Sequence, residues 1–229
     1  MKNPVIILHG ALGSGPQLKP LEDLLSPHFN VHTISLSGHG GQPFMHSFSI
    51  ENFTRELSAY MSANDIAKAD IFGYSMGGYV ALNLARKEPH RVGKIFTLGT
   101  KLHWTPEIAE KEVKMLNADK IAEKVPAFAT ALAQRHEPND WKEVLSRTAS
   151  LMIGLGQGHG LTDQDYSNIA HEVVIGIGLE DNMVTFEESR HVADLLPNGA
   201  LKEFDGFKHP VEQIDTRVLA QEITAFFQA

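Results

Sequence analysis

The chain has 229 residues, no cysteine, and a formal charge of −8 from 20 Lys and Arg against 28 Asp and Glu. This length suits one domain with its own core, and the lack of cysteine excludes disulfides, thiolate nucleophiles and cysteine metal sites. The acidic balance without a basic cluster argues against nucleic-acid binding, and no apolar run reaches the roughly 18–20 residues needed to span a bilayer. The short apolar run near the N-terminus does not resemble a signal peptide, so we expect a cytoplasmic protein.

Short apolar runs alternate with longer amphipathic stretches along most of the chain. The runs are mostly continuous, which is typical of strands buried on both faces of a parallel sheet. We predict strands at Val5–His9, Val31–Leu36, Asp70–Gly73, Lys94–Leu98, Glu172–Ile177 and Ala200–Phe204. We predict helices at Leu18–Leu25, Ile50–Ala63, Met76–Lys87, Thr185–Leu195 and Val211–Phe227. Repeated strand-then-helix units predict a doubly wound α/β domain.

Residues 101–168 interrupt this alternation because they contain no good strand. They carry helical patterns at Glu107–Asn117, Lys120–Arg135 and Asp140–Leu155. We therefore predict a helical lid inserted within a single domain that covers residues 1–229. The glycine run at 154–160 breaks the last helical pattern, and either a flexible turn or a hinge for a mobile lid is compatible with it.

The most specific motif is Gly73-Tyr-Ser75-Met-Gly77, the only G-x-S-x-G in the chain. It lies between a predicted strand and a predicted helix, where a sharp turn exposes the serine hydroxyl at the carboxyl edge of the sheet. Small residues are needed on both sides because larger side chains would collide with the sheet and the helix. The amide of Met76 then lies at a helix N-terminus, where negative charge is favoured. Ser75 is therefore a candidate nucleophile, with a plain glycine-rich turn as the alternative.

A serine hydroxyl needs a base, and the base needs an orienting acid. His209 follows the last predicted strand and precedes Pro210, which places it on a loop at the same edge as Ser75. A helix-capping surface histidine is the alternative interpretation.

The acid should follow another strand at that edge. Glu180 and Asp181 both qualify, because both come directly after the predicted strand Glu172–Ile177. Asp205 is near His209 in sequence but belongs beside the last strand itself.

The first predicted strand ends in His9-Gly-Ala-Leu-Gly-Ser-Gly15, whose glycines allow backbone amides to turn toward Ser75. It is not a phosphate loop, because Pro16 follows where that pattern requires lysine. The histidines His9, His39 and His103 lack the paired spacing of a metal site, so we expect neither metal nor cofactor.

Taken together, these motifs resemble the α/β-hydrolase superfamily over nearly the whole chain. The matching segments are the oxyanion loop His9-Gly10, the loop Gly38-His39-Gly40, the nucleophile elbow Gly73–Gly78, the acid turn Gly178–Val184 and the histidine loop Gly206–His209. The resemblance selects Asp181 as the acid, and the order Ser, Asp, His is the order of that family. It implies an α/β-hydrolase fold with about six mostly parallel strands, without the first two strands of the family, and a cap at 101–168.

Within the superfamily, the elbow and the first loop look most like small cofactor-free esterases and the menaquinone-pathway lyase branch. Two positions depart from the pattern. Tyr79 stands where that lyase branch typically carries an arginine, and the loop at Gly38 lacks the Asp and Pro common before this glycine.

The resemblance implies a serine hydrolase that cleaves an ester or similar small acyl substrate through an acyl-enzyme. Ser75 would attack, His209 would accept its proton, and Asp181 would orient the imidazole. The amides of Ala11 and Met76 would bind the oxyanion, with Leu12 a weaker choice than Ala11. For the substrate pocket we predict a modestly sized apolar lining, formed by Tyr74, Phe44, Met45, Leu102, Trp104 and Met152.

Other functions stay open at this point. One is a lyase or C–C bond enzyme on the same triad, and another is a ligand sensor that kept the pocket but does not turn over. We expect a small acyl molecule as the partner and a monomer or homodimer as the assembly.

Overall fold

The computed structural model describes residues 2–229 and arranges six strands in one sheet. The strands are β1 Pro4–Leu8, β2 Asn30–Ile34, β3 Ala69–Tyr74, β4 Val92–Leu98, β5 Glu172–Gly178 and β6 Asn198–Phe204. Their order across the sheet is β2-β1-β3-β4-β5-β6, and every neighbouring pair is parallel. The predicted α/β sheet is confirmed, with all six strands parallel.

Helices cover both faces of the sheet. Those outside residues 101–168 are α1 Lys19–Leu25, α2 Ile50–Ala63, α3 Met76–Lys87, α9 Phe186–Leu195 and α10 Thr216–Gln228. In β1, Val5 and Ile7 face the cluster that contains α1 and α10, whereas Ile6 and Leu8 face the cluster with α2, α3 and α9. This two-sided burial explains the continuous apolar run. Across residues 2–229, each helix is too short or too polar to cross a bilayer.

The insertion, residues 101–168, connects β4 to β5 and is helical. Its helices are α4 Pro106–Val113, α5 Ala118–Lys124, α6 Pro126–His136, α7 Trp141–Gly154 and α8 Asp163–Ser167. Ile121, Leu132 and Leu145 form a small core within it, and Leu12 of the first loop packs against that core.

Three predicted helices have different bounds in the structure. The prediction of one helix over Lys120–Arg135 was wrong, because Pro126 forces the preceding Val125 out of helical geometry, at φ −137° and ψ 60°. The helix predicted over Glu107–Asn117 is shorter in the structure, where the α-helix ends at Val113. The last helix starts at Thr216 instead of Val211, because the side chain of Asp215 caps it by accepting two backbone amides.

The glycine run is only partly a helix breaker. Gly154 completes α7, and the chain continues through a wider helical turn over Leu155–His159. The break comes at Gly158, whose φ of +90° suits glycine.

Candidate active site

Ser75 lies in a strained turn between β3 and α3. Its φ and ψ are 51° and −119°, a conformation that non-glycine residues rarely adopt. A Cβ at Gly73 would come within 2.4 Å of the Gly78 Cα, and one at Gly77 within 2.5 Å of the Leu8 carbonyl oxygen. The Ser75 amide donates to the Leu98 carbonyl at 2.8 Å, which ties the turn to the neighbouring strand. Close backbone packing therefore fixes the serine at the carboxyl edge of the sheet.

His209 and Asp181 lie in line with this serine. The Nε2 atom of His209 is 3.4 Å from Ser75 Oγ, and its Nδ1 atom is 2.8 Å from Asp181 Oδ2. Because the carboxylate accepts the Nδ1 proton, Nε2 carries the free lone pair and faces the serine. The two side chains are largely withdrawn from solvent, with exposed fractions of 12% for His209 and 2% for Asp181.

The turn after β5 holds Asp181 as an anion. Its Oδ1 accepts the amides of Met183 at 2.8 Å and Val184 at 3.0 Å, while Oδ2 serves His209. Burial raises the pKa of Asp181, but the hydrogen bonds from His209 and the two amides outweigh it, so the pKa lies below its usual value. Of the three candidate acids, Asp181 is thus the one that hydrogen-bonds His209.

The two other candidate acids lie elsewhere. The carboxylate of Glu180 is exposed and lies 3.9 Å from the Lys208 ammonium. Asp205 is exposed on the loop after β6.

Both predicted oxyanion donors belong to the same cavity wall as the serine. Met76 is the first residue of α3, so its amide has no acceptor within the helix. Ala11 belongs to a turn that Gly13 N–H closes onto Gly10 O at 3.0 Å, a bond that does not use the Ala11 amide. Ala11, Met76, Ser75 and His209 all line one cavity.

This cavity encloses about 510 Å³ of empty space up to and including its open mouth. Of the predicted pocket residues, Trp104 and Met152 belong to its wall. Much of the rest of the wall is also apolar or aromatic, and includes Ile50, Tyr79, Leu151, Leu155, Met183 and Val184. Sequence reasoning missed these residues, although Met183 and Val184 belong to the acid turn itself and could have been found from it.

Four predicted pocket residues lie outside the wall of this cavity. The Tyr74 hydroxyl donates to the backbone carbonyl of His209, so this side chain anchors the histidine loop instead. Phe44 packs under the Arg147 guanidinium, 4.3 Å from ring centroid to Cζ, and Met45 is 64% exposed. Leu102 is buried and lines a neighbouring cavity. The structure therefore does not bring these four side chains into this cavity, because adjacency in sequence to a site loop does not determine which way a side chain points.

A charged cluster interrupts the apolar wall. The Lys101 ammonium donates to the Met183 carbonyl at 2.9 Å and lies 3.9 Å from Glu112 and 3.7 Å from Glu188. Lys101 and Glu112 both line the cavity, and Oε2 of Glu112 is buried without a hydrogen-bond partner. Lys101 follows β4 closely at the active-site edge, a position that could have identified it from sequence. Glu188 accepts the Leu102 amide at 2.9 Å, which fixes where the insertion leaves the sheet.

The histidines near the first loop hydrogen-bond the backbone. His9 Nδ1 bonds the Gly10 carbonyl at 2.7 Å, and His39 Nδ1 bonds the Ser37 carbonyl at 3.0 Å. Burial lowers the pKa of His9 to about 4 and that of His39 well below its usual value, so both are neutral at pH 7. Over the described residues 2–229, there is no group of three or more His, Cys, Asp or Glu side chains placed to hold a metal ion.

The chain is similar to known proteins in sequence and in fold. A family model for the alpha/beta hydrolase fold matches residues 3–211. The pimeloyl-[acyl-carrier protein] methyl ester esterase of Aliivibrio fischeri (strain MJ11) is 24% identical, over 90% of this chain and 86% of that protein. The 2-hydroxy-6-oxo-2,4-heptadienoate hydrolase of Pseudomonas putida is 23% identical, over 99% of this chain and 90% of that protein. The crystal structure of the enol-lactonase from Burkholderia xenovorans LB400 has a TM-score of 0.82 at 18% identity, covering 100% of this chain and 92% of that chain.

Proposed function

Because this chain belongs to the alpha/beta hydrolase family, we propose that it is a serine hydrolase that cleaves a small carboxylic ester through an acyl-enzyme. The observation that carries the proposal is the array of Ser75, His209 and Asp181, of which Ser75 and His209 line a largely apolar cavity. The separations are 3.4 Å from Ser75 Oγ to His209 Nε2 and 2.8 Å from His209 Nδ1 to Asp181 Oδ2. The esterase and hydrolase names of the two sequence relatives support the same class of reaction.

In the first step, Ser75 Oγ attacks the ester carbonyl while His209 Nε2 takes the serine proton. The separation of 3.4 Å is longer than a normal hydrogen bond and shortens as the substrate engages the serine. Asp181 holds the Nδ1 tautomer and stabilises the imidazolium that forms. The amides of Ala11 and Met76 donate to the oxygen that becomes negative.

The second half of the reaction mirrors the first. The imidazolium gives its proton to the departing alcohol, which leaves an acyl group on Ser75. His209 then removes a proton from a water molecule, the resulting hydroxide attacks the acyl-enzyme, and the acid is released as Ser75 regains its proton.

The cavity supports an apolar acyl group of modest size. Trp104, Met152 and Leu155 from the insertion and Tyr79 from the body belong to its wall, and such walls stabilise chains of a few carbons. Lys101 and Glu112 limit the apolar stretch, so we expect short to medium acyl chains to be preferred over long ones.

The experiment is a panel of p-nitrophenyl esters from acetate to decanoate, combined with labelling by a fluorophosphonate probe. Ser75→Ala should abolish labelling and lower kcat on the order of 10⁶-fold while the fold persists. Ser150→Ala is a matched control, because the Ser150 hydroxyl donates only within its own helix, to Ser146 at 3.1 Å. Equal labelling of the Ser75→Ala variant and the wild type would refute the proposal.

A second candidate is hydrolysis of a C–C bond next to a ketone by the same residues. The specific observation in its favour is the match over 99% of this chain to a 2-hydroxy-6-oxo-2,4-heptadienoate hydrolase. Assaying that dienoate beside the ester panel, with identification of the products, separates the two reactions.

A further inference from the structure

The insertion reaches across to the first loop of the body and binds a single carbonyl there. The Leu12 carbonyl oxygen accepts hydrogen bonds from Arg135 Nη1 at 2.9 Å and from His136 Nε2 at 3.1 Å. Both donors come from the last turn of α6, and Leu12 directly follows Ala11, the proposed oxyanion donor. The side chain of Leu12 packs against the core of the insertion as well. The loop that carries Ala11 is therefore fastened to the insertion.

Leu12, the residue held by these contacts, has a strained backbone conformation. Leu12 has a φ of +59°, a conformation that costs a residue with a side chain about 1–2 kcal/mol. It occupies the third position of the turn that Gly13 N–H closes onto Gly10 O, and a positive φ there is usually left to glycine or asparagine. Relaxation to negative φ would rotate the Ala11–Leu12 peptide and reverse its dipole beside the Ala11 amide. Contacts that hold the Leu12 carbonyl and side chain oppose this relaxation.

His136 provides one of the two side-chain hydrogen bonds to the Leu12 carbonyl. Its Nδ1 accepts the Gly40 amide at 3.2 Å, so the proton lies on Nε2 and is donated to Leu12. The side chain is fully buried, with no solvent-exposed area. Its ring therefore bridges two loops at the carboxyl edge of the sheet, one at Leu12 and one at Gly40.

Arg135 provides the other side-chain hydrogen bond to the Leu12 carbonyl. Its second guanidinium nitrogen lies 3.3 Å from the Glu212 carboxylate, three residues beyond His209. A guanidinium held at both ends has little freedom to leave the Leu12 carbonyl, and a charged donor forms a stronger bond to it than a neutral one. The same side chain thus connects the first loop with the histidine loop.

We propose that Arg135 and His136 are positioning residues for the oxyanion hole: by holding the Leu12 carbonyl they keep the Ala11 amide directed at the oxygen that becomes negative. The inference rests on the proposed function, since it assigns the insertion a part in transition-state stabilisation. Neither side chain lines the cavity, so both act through the loop. Removing the restraint lowers kcat and leaves KM nearly unchanged, because substrate binding uses the cavity wall, whereas the oxyanion forms only later.

The first experiment measures kcat and KM for the double variant Arg135→Met/His136→Phe, which keeps apolar bulk and removes both donors to the Leu12 carbonyl, together with the contacts to Gly40 and Glu212. We expect kcat to fall about tenfold to a hundredfold, less than the loss of a whole oxyanion donor, with KM within about threefold. Arg147→Met is the matched control, because Arg147 also ties the insertion to a body carbonyl, that of His46 at 3.1 Å. It should retain kcat.

The second experiment is a rescue. Leu12→Gly removes the cost of the positive φ, so adding it to the double variant should restore most of kcat. A purely structural role of Arg135 and His136 in the insertion would not be rescued by a change in the loop. Amide hydrogen exchange of Gly13 should accelerate in the double variant and slow again after Leu12→Gly, a readout that does not require turnover.

Each outcome decides one question. A kcat that falls without recovery on Leu12→Gly, or a KM that rises as much as kcat falls, overturns the positioning role. Unchanged exchange of Gly13 overturns the restraint itself, even if no substrate is hydrolysed. Turnover that survives Ser75→Ala instead overturns the proposed function and leaves the exchange result to decide on the restraint.

Discussion

The two sides of the cavity are held in different ways. On the sheet side, Ser75, Asp181 and His209 follow strand ends and are fixed by main-chain contacts, such as the Ser75 amide on Leu98 and two amides on Asp181. On the insertion side, Trp104 and Met152 are partly buried side chains packed against the main core. The insertion's own core contains Ile121, Leu132 and Leu145, far fewer residues than the clusters on the faces of the sheet.

This difference separates two properties of an enzyme. Backbone contacts leave no room for a side chain at Gly77 and hold Ser75 in place, so we propose that the sheet side determines which reaction is possible. Side-chain packing tolerates exchange of one apolar residue for another, so we propose that the insertion side determines which substrate is accepted. The four predictions below test this division, from the largest expected effect to the smallest.

Asp181→Asn should lower kcat about 10⁴-fold, because the amide favours the wrong tautomer of His209. The preferred acyl-chain length should not change, since the cavity wall is intact. Glu180→Gln is the matched control next to it in sequence and should stay within about twofold of wild type. Comparable losses in both variants would contradict the assignment of Asp181.

Protonation of His9, the first residue after β1, should destabilise the fold in acid. Its pKa is about 4 when folded against 6.5 when unfolded, so the unfolded state binds the proton first. The contribution of neutral His9 to the free energy of unfolding is complete above pH 6.5 and decreases by about 3 kcal/mol as the pH falls to 4. Urea unfolding at pH 7, 5.5 and 4.5 measures how the free energy of unfolding changes with pH. NMR titration should show the His9 imidazole neutral at pH 5.5. A ring that is already half protonated at pH 6 would exclude this explanation.

Trp104→Ala should change the ratio of kcat/KM between long and short acyl chains about tenfold, because it enlarges the cavity by several methylene groups. Fluorophosphonate labelling of Ser75 should stay within a few-fold of wild type. Trp141→Ala is the control, since Trp141 packs in the insertion core and does not line the cavity. Identical chain-length profiles for wild type and both variants would place the specificity elsewhere.

Met45→Ala should have the smallest effect, less than about twofold on any ester. This side chain is 64% exposed and lies outside the cavity wall. A marked shift in chain-length preference would show that the loop around Met45 closes over the substrate.

Sequence reasoning reached the sheet side more fully than the insertion side, for a physical reason. A turn such as Gly73–Gly77 needs small residues at fixed positions, because a Cβ at either glycine would collide with backbone. That requirement is visible in sequence. The direction of Tyr74, by contrast, follows from which partner its hydroxyl meets, and that partner is the distant His209 carbonyl. The prediction of a single helix over Lys120–Arg135 was also wrong, although Pro126 in the sequence indicates a helix boundary.

The residues of the cavity wall were the hardest part of the site to predict from the sequence. Tyr79 and Leu155 come from elements far apart in the chain, and no local sequence pattern indicates that they line the same cavity. Glu112 is the clearest case: a charged residue on a short amphipathic helix suggests a solvated position, yet it is 6% exposed beside Lys101. Tertiary packing decides such positions, and periodicity reports only which residues share a face.

The strand order also sets when the site can exist during synthesis. The strands β1 to β4 are complete by residue 98, whereas Asp181 and His209 follow β5 and β6, which add at one edge of the sheet. Ser75 and His209 are separated by 134 residues, which a ribosome adds in on the order of ten seconds. Throughout that interval the nascent chain carries Ser75 without His209, the base that we propose for it. With the proposed function, we expect hydrolytic capacity to arise late, when the final strand pairs, and an interrupted translation product to be inert.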